Sequence, residues 1–259
     1  MLADLREVLR YRELTFALAM REIRVRYKHA VLGLAWALIM PLSLMLVFTA
    51  VFSRVASVQT GGVPYALFVF VGLVPWQLHA NIINNGARSL SDNSNLVTKV
   101  YFPREVLPLA AVLSALADFC VAALLIAGMM AIYRIAPGPG LLLLPLILAV
   151  QLCLDVALAL LLSALNLLYR DVQFILQVGV LLWMFASSVV YPIPASGNLA
   201  WLSWLNPMTP ILDAYRSAII GGTLSLSPAF GIATLVIIVL LLASWRWFRR
   251  TERVFGELA

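Results

Sequence analysis

Charge, histidine, cysteine and lysine are all scarce in this chain. Charged residues make up 12% of its 259 residues, against 63% hydrophobic. That leaves too little polar surface to coat a soluble globule of this length. His29 and His79 are the only histidines, which excludes H-E-x-x-H and any histidine-rich metal cluster. Both read as lying near one membrane face with no acid partner, so no Ser-His-Asp arrangement is expected either. The only lysines, Lys28 and Lys99, do not follow glycine, and no G-x-x-x-x-G-K-[ST] phosphate loop exists. Cys120 and Cys153 each fall inside an apolar run and read as small core residues, not a disulfide framework. The chain carries no catalytic constellation, metal site or cofactor motif of its own.

What the chain has is long apolar runs, at 31–53, 64–83, 107–133, 140–168, 174–193 and 229–248. Each supplies the ~20 residues that a helix needs to cross a ~30 Å hydrocarbon core. Of the 18 Lys and Arg residues, 15 fall in alternate gaps or, for Arg246, at the adjoining end of the last run, leaving only Arg54, Arg134 and Arg216 in the others. By the positive-inside rule, six spans with both termini cytoplasmic follow. The net charge of +6 therefore reads as topology signal and lipid-headgroup contact, not as a nucleic-acid surface. The expected fold is an all-α integral membrane protein of one domain, 1–259. It divides into an interface helix (1–30), a six-helix body (31–248) and a cytoplasmic tail (249–259).

The segments between spans add detail. Leu5, Leu9, Phe16, Met20, Ile23 and Tyr27 recur at helical spacing, which predicts an amphipathic helix along the inner headgroup layer. In the loop 84–106, Asn93 or Ser94 is a suitable cap for a two-turn helix ended before Pro103. That helix carries Leu96, Val97, Val100, Tyr101 and Phe102 outside the membrane, to be buried on its own spans or in a groove of another protein. On the other side, 194–228 is long yet apolar, with Trp201, Trp204 and Tyr215. Thr209 suits an N-cap with Pro210 first in the helix, and Gly221-Gly222 suits its end. Short helices set into the outer leaflet follow.

Asp118 and Asp155 fall near the middles of the third and fourth runs, about equally far from the turn at Ala136–Pro139. No Lys or Arg within the membrane is on hand to pair with them. They serve either as interhelical hydrogen-bonding groups or as a proton relay.

Four stretches, taken together and in order, resemble the ABC-2-type permeases of the O-antigen and teichoic-acid exporter branch. They are Arg26-Tyr27-Lys28 with Val31–Trp36 and Pro41; Asn95–Glu105; Ser163–Asn166 with Tyr169–Val172; and Tyr191-Pro192 with Leu205–Pro210. The resemblance implies a homodimer with two copies of a separate ABC ATPase that holds ATP and Mg, moving a polyprenyl-pyrophosphate-linked polysaccharide through the inner membrane. It implies a coupling helix contacting the ATPase through Asn95, Leu96, Lys99, Tyr101, Phe102, Arg104 and Glu105, with Arg170 and Asp171 as a second touch point. It implies a path lined by Trp36, Phe48, Phe52, Trp183, Phe185 and Tyr191, and an external gate containing Trp201, Trp204, Asn206, Pro207 and Tyr215. Arg24, Arg26 and Lys28 would attract the lipid pyrophosphate or serve only as topology charges. Competing readings are a drug or small-lipid exporter, a proton-coupled secondary transporter built on Asp118 and Asp155, and a membrane enzyme of lipid metabolism.

Overall fold

The computed structural model describes Glu7 and residues 9–28, 33–52, 62–193 and 204–258. Among them the chain forms helices α1 (Arg12–Tyr27), α2 (Trp36–Phe52), α3 (Tyr65–Arg88), α4 (Ser94–Lys99), α5 (Val106–Ile132), α6 (Leu144–Leu168), α7 (Val172–Phe185), α8 (Met208–Ile219) and α9 (Pro228–Leu258). Helix is the form that satisfies every backbone group within one segment, which hydrocarbon demands. Four helices are long and apolar enough to cross a membrane: α3, α5, α6 with its preceding turn, and α9. The apolar helices α2 and α7 are shorter, 17 and 14 residues. The fifth run thus stays helical only to Phe185. Ser187 Oγ turns back to the Trp183 carbonyl, and the chain then leaves the helix.

Helix α3 is the axis of the bundle, buried on most of its surface and packed against α2, α5, α6, α7 and α8. Its interior Pro75 lacks an N–H, and Gln151 of α6 donates to the Pro75 carbonyl at 2.8 Å. Close approach of α3 to α6 depends on Gly86, where an added Cβ would stand 2.9 Å from that of Ala159. Small residues at a crossing let two backbones approach within the membrane.

The ends of α3, α5 and α9 that carry Arg88, Glu105 and Arg249 gather at one end of the bundle, called here the basic end. A separate cluster closes it: Leu90, Val97, Phe102, Val106, Leu107, Trp245 and Phe248. Helix α1 does not meet the bundle only at this end. It runs alongside α5, burying Thr15 and Ala19, so that its last turn lies beside Asp118, ~18 Å along that helix. Of the residues expected to form one apolar face, Leu9 and Phe16 are exposed while Met20, Ile23 and Tyr27 are half-buried. Arg12, Arg21, Arg24 and Lys28 share the exposed side, so α1 does not present a single apolar face; Leu5 lies outside the described residues.

Candidate coupling and translocation sites

At the basic end, α4 is a helix of six residues whose expected cap is not used. Asn93 instead donates to the Ser89 carbonyl and accepts from Arg21. The segment divides into two faces. Asn95, Lys99, Val100 and Tyr101 are exposed, Tyr101 at 85%, while Leu96 packs partly inward and Val97 is buried. Two expected contacts lie on the wrong side for a partner. Phe102 is 5% exposed, and Glu105 is fully buried. The physical reason is local: Phe102 fills the cluster under Trp245 and Phe248, and Glu105 sits 2.5 Å from Arg249 of α9. Arg249 also reaches Glu252 and Glu7, and Arg104 reaches Glu252 at 3.6 Å. Burial, with Glu252 adding to it, outweighs Arg249 and pushes the Glu105 carboxyl up to about 7. Arg170 and Asp171 are exposed in the tight link between α6 and α7.

Both intramembrane acids have basic partners, contrary to the sequence reading. Asp118 accepts from Arg26 at 2.5 Å and from the Tyr27 hydroxyl at 2.8 Å. The cation comes from the N-terminal helix, not from a span, and periodicity within the spans cannot reveal it. Arg26 is thereby committed to Asp118 and Glu22, while Arg24 and Lys28 stay exposed. Asp155, fully buried, lies 2.5 Å from His79 Nδ1. The expectation that His79 lacks an acid partner is therefore corrected, and so is the pairing of the two acids as one site.

Between α1, α2, α3 and α5 lies a cavity of about 330 Å³. Arg26, Tyr27 and Asp118 line it, together with Trp36 of α2 and three amides of α3: Gln77, Asn81 and Asn85. The amides recur every four residues on one half-buried face of α3. Sequence reasoning passed over them, although an i, i+4, i+8 polar row in an otherwise apolar span was a visible signal.

The expected path aromatics separate into groups. Phe48 meets Phe52 and Phe185 edge-on, and Phe52 stacks on Tyr65. Trp36 lines the cavity instead. Trp183 turns inward, its ring 4.7 Å from that of His79 and its Nε1–H donating to Asn206 at 2.8 Å. The Tyr191 hydroxyl donates back to the Phe185 carbonyl.

At the opposite end, Asn206 does the work expected of Thr209. Its Oδ1 accepts from the Met208 N–H at the start of α8, while its Nδ2 donates to Ala186 O and Ser187 Oγ. Helix α8 begins at Met208 after Pro207, and Gly222 takes the left-handed conformation, φ 62, past its end. Arg216 is buried, donating to Val189 O at 2.7 Å and Phe68 O at 3.3 Å with its guanidinium over the Phe68 ring. Tyr215 is 3% exposed and belongs to the core, not to an exposed rim. Trp204 is exposed, and Trp201 lies outside the described residues.

Residues 13–220 match the family model of the ABC-2 type transporter. The chain belongs to that family. Among relatives of this ABC-2 member, an O-antigen export system permease protein RfbA of Myxococcus xanthus is 32% identical over 99% of each chain. A protein of the same name from Klebsiella pneumoniae is 27% identical over 82% of each. The polysialic acid transport protein KpsM of Escherichia coli is 22% identical over 91% of this chain and 92% of its own. The ABC-2 family and the apolar helices make this a multi-pass membrane protein. The family resemblance read from the four sequence stretches is borne out.

Proposed function

We propose that this chain is the membrane subunit of an ABC exporter of lipid-linked polysaccharide, with O-antigen as cargo, powered by a separate ATPase. The observation that carries the coupling half of this reading is the two-faced Asn95–Glu105 segment. Val97 and Phe102 anchor it in the bundle while Tyr101 and Lys99 project. An anchored segment with an exposed aromatic suits transmission of a push from a partner protein. The O-antigen cargo rests on the names of the relatives that align along most of the chain. The polysialic-acid relative supports capsule polymer as a second cargo reading, at lower identity; a teichoic-acid cargo rests on the branch resemblance alone. Basic partners for Asp118 and Asp155 favour structural roles for both over a proton relay.

In this reading α2 and α7 are the two remaining spans of six, and the basic end faces the cytoplasm with both termini. The membrane is the bacterial inner membrane. Two copies of the chain join through α2 and α7, which expose Met40, Leu46, Val47, Phe174, Ile175 and Leu182. Two ATPase copies bind ATP and Mg and dock on Tyr101, Lys99, Arg170 and Asp171.

The test is affinity purification of the tagged chain from its host membrane. A Walker-type ATPase is expected at about one copy per chain, and Tyr101→Ala is expected to weaken its retention about tenfold with the chain still folded. Purification without an ATPase, under conditions that preserve such complexes, would refute the reading.

A further inference from the structure

The amide row of the α3 cavity has a chemistry that topology and packing leave unexplained. Gln77, Asn81 and Asn85 are half-buried, and none of their side chains has a hydrogen-bond partner among the described residues. Neighbouring Asn84, by contrast, bonds to its own helix at Ala80 O. Unsatisfied amides in a span are costly unless water or a ligand meets them. The row spans ~12 Å, from the middle of α3 toward its basic end. Each amide offers both a donor and an acceptor, which matches a hydroxyl group without regard to its orientation.

The charge in the cavity is already balanced. Arg26 is held by Asp118 at 2.5 Å, with Tyr27 on the second carboxylate oxygen, so among the described residues the wall has no uncommitted cation to attract a phosphate. Trp36, 46% exposed, adds an aromatic face of the kind on which a sugar ring stacks. At about 330 Å³ the space suits one or two sugar rings.

We propose that Gln77, Asn81 and Asn85 form a binding track for uncharged, hydroxyl-rich sugar rings: those next to the lipid anchor of the exported polymer. The inference rests on the export reading above. The track takes the neutral sugar, and the anchor's phosphates stay outside it, near exposed Arg24 and Lys28.

The test uses inner-membrane vesicles from the native host, containing the chain, its partner and the host's own polyprenyl-linked polymer. A photoreactive benzoylphenylalanine replaces Asn81, and in a control Leu124, which is 73% exposed on α5. Illumination is expected to yield a carbohydrate-positive adduct from position 81 and a phospholipid adduct from position 124. In cells, Gln77→Leu with Asn81→Leu is expected to lower surface polymer roughly tenfold with the amount of chain in the membrane unchanged. If cells lacking the chain still display the polymer, the export reading fails. If they lose it, but position 81 captures only phospholipid or a second copy of the chain, the track is overturned and the export reading stands.

Discussion

The Arg249 guanidinium stands 2.5 Å from the buried Glu105 carboxylate and ties the start of α5 to the far end of α9. Removing Arg249 leaves a buried carboxyl without its cation. A group that titrates near 7 escapes part of the stranded-charge cost by taking up a proton, which leaves about 1–3 kcal/mol. Arg249→Ala is therefore expected to lower the melting temperature of the detergent-purified protein sharply, and by much less in a Glu105→Gln background. Equal losses in both backgrounds would show that the pair is not coupled.

The same carboxylate gives a pH signature. Glu105 titrates near 7 in the fold, above the ordinary 4.5, because burial disfavours its charged form. The folded state then binds the proton more tightly than the unfolded chain. Its contribution is fullest below pH 4.5, falls as pH rises toward 7 and is flat above. Thermal scans across pH 4.5–7 should fall more steeply for the native protein than for Glu105→Gln. Parallel curves would remove Glu105 as the cause.

Adjacent aromatics should behave oppositely. Phe102→Ala opens the cluster beneath Trp245 and Phe248 and is expected to cost about 3–5 kcal/mol. Tyr101→Ala removes an exposed ring and should change stability by less than about 0.5 kcal/mol. Unfolding of the two variants side by side decides it.

Much of this was legible in the sequence, for reasons tied to local pattern. Apolar runs of span length mark the long helices because hydrocarbon thickness sets their length. Gly221-Gly222 marks the end of α8 because a left-handed residue suits glycine. The split between Tyr101 and Phe102 was not legible. Both are aromatics in one polar loop, and only the arrival of α9 from the other end of the chain assigns one to the core. The His79–Asp155 and Arg26–Asp118 pairs escaped for the same reason: each joins elements far apart in sequence. Asn206 took the capping role expected of Thr209 because its amide satisfies α8, Trp183 and the end of α7 at once.

His79 and Asp155 make a second buried pair, 2.5 Å apart in the middle of the bundle. His79→Leu is expected to destabilise the protein by about 3–5 kcal/mol, and adding Asp155→Leu should recover a large part of that. Chemical unfolding of both variants is the measurement, and a double variant no better than the single would argue against a stranded charge.

The α3–α6 crossing should be sensitive to one methyl group. Gly86→Ala brings a Cβ within 2.9 Å of Ala159 Cβ and is expected to cost about 1–3 kcal/mol, with Ala159→Gly restoring most of it. Independent, additive effects in a double-mutant cycle would contradict direct contact.

Helix α9 has 31 residues, ~46 Å of rod against ~30 Å of hydrocarbon, so ~15 Å can project beyond it. Arg249 sits on that projecting part and fastens it to the segment that bears Tyr101. A rod clamped this way acts as a lever: tilting by about 5° about Arg249 carries its Pro228 end, ~31 Å away, ~3 Å sideways without breaking one helical hydrogen bond. Under the proposed export reading, motion delivered at the basic end would arrive beside α8 as a displacement, not as unfolding.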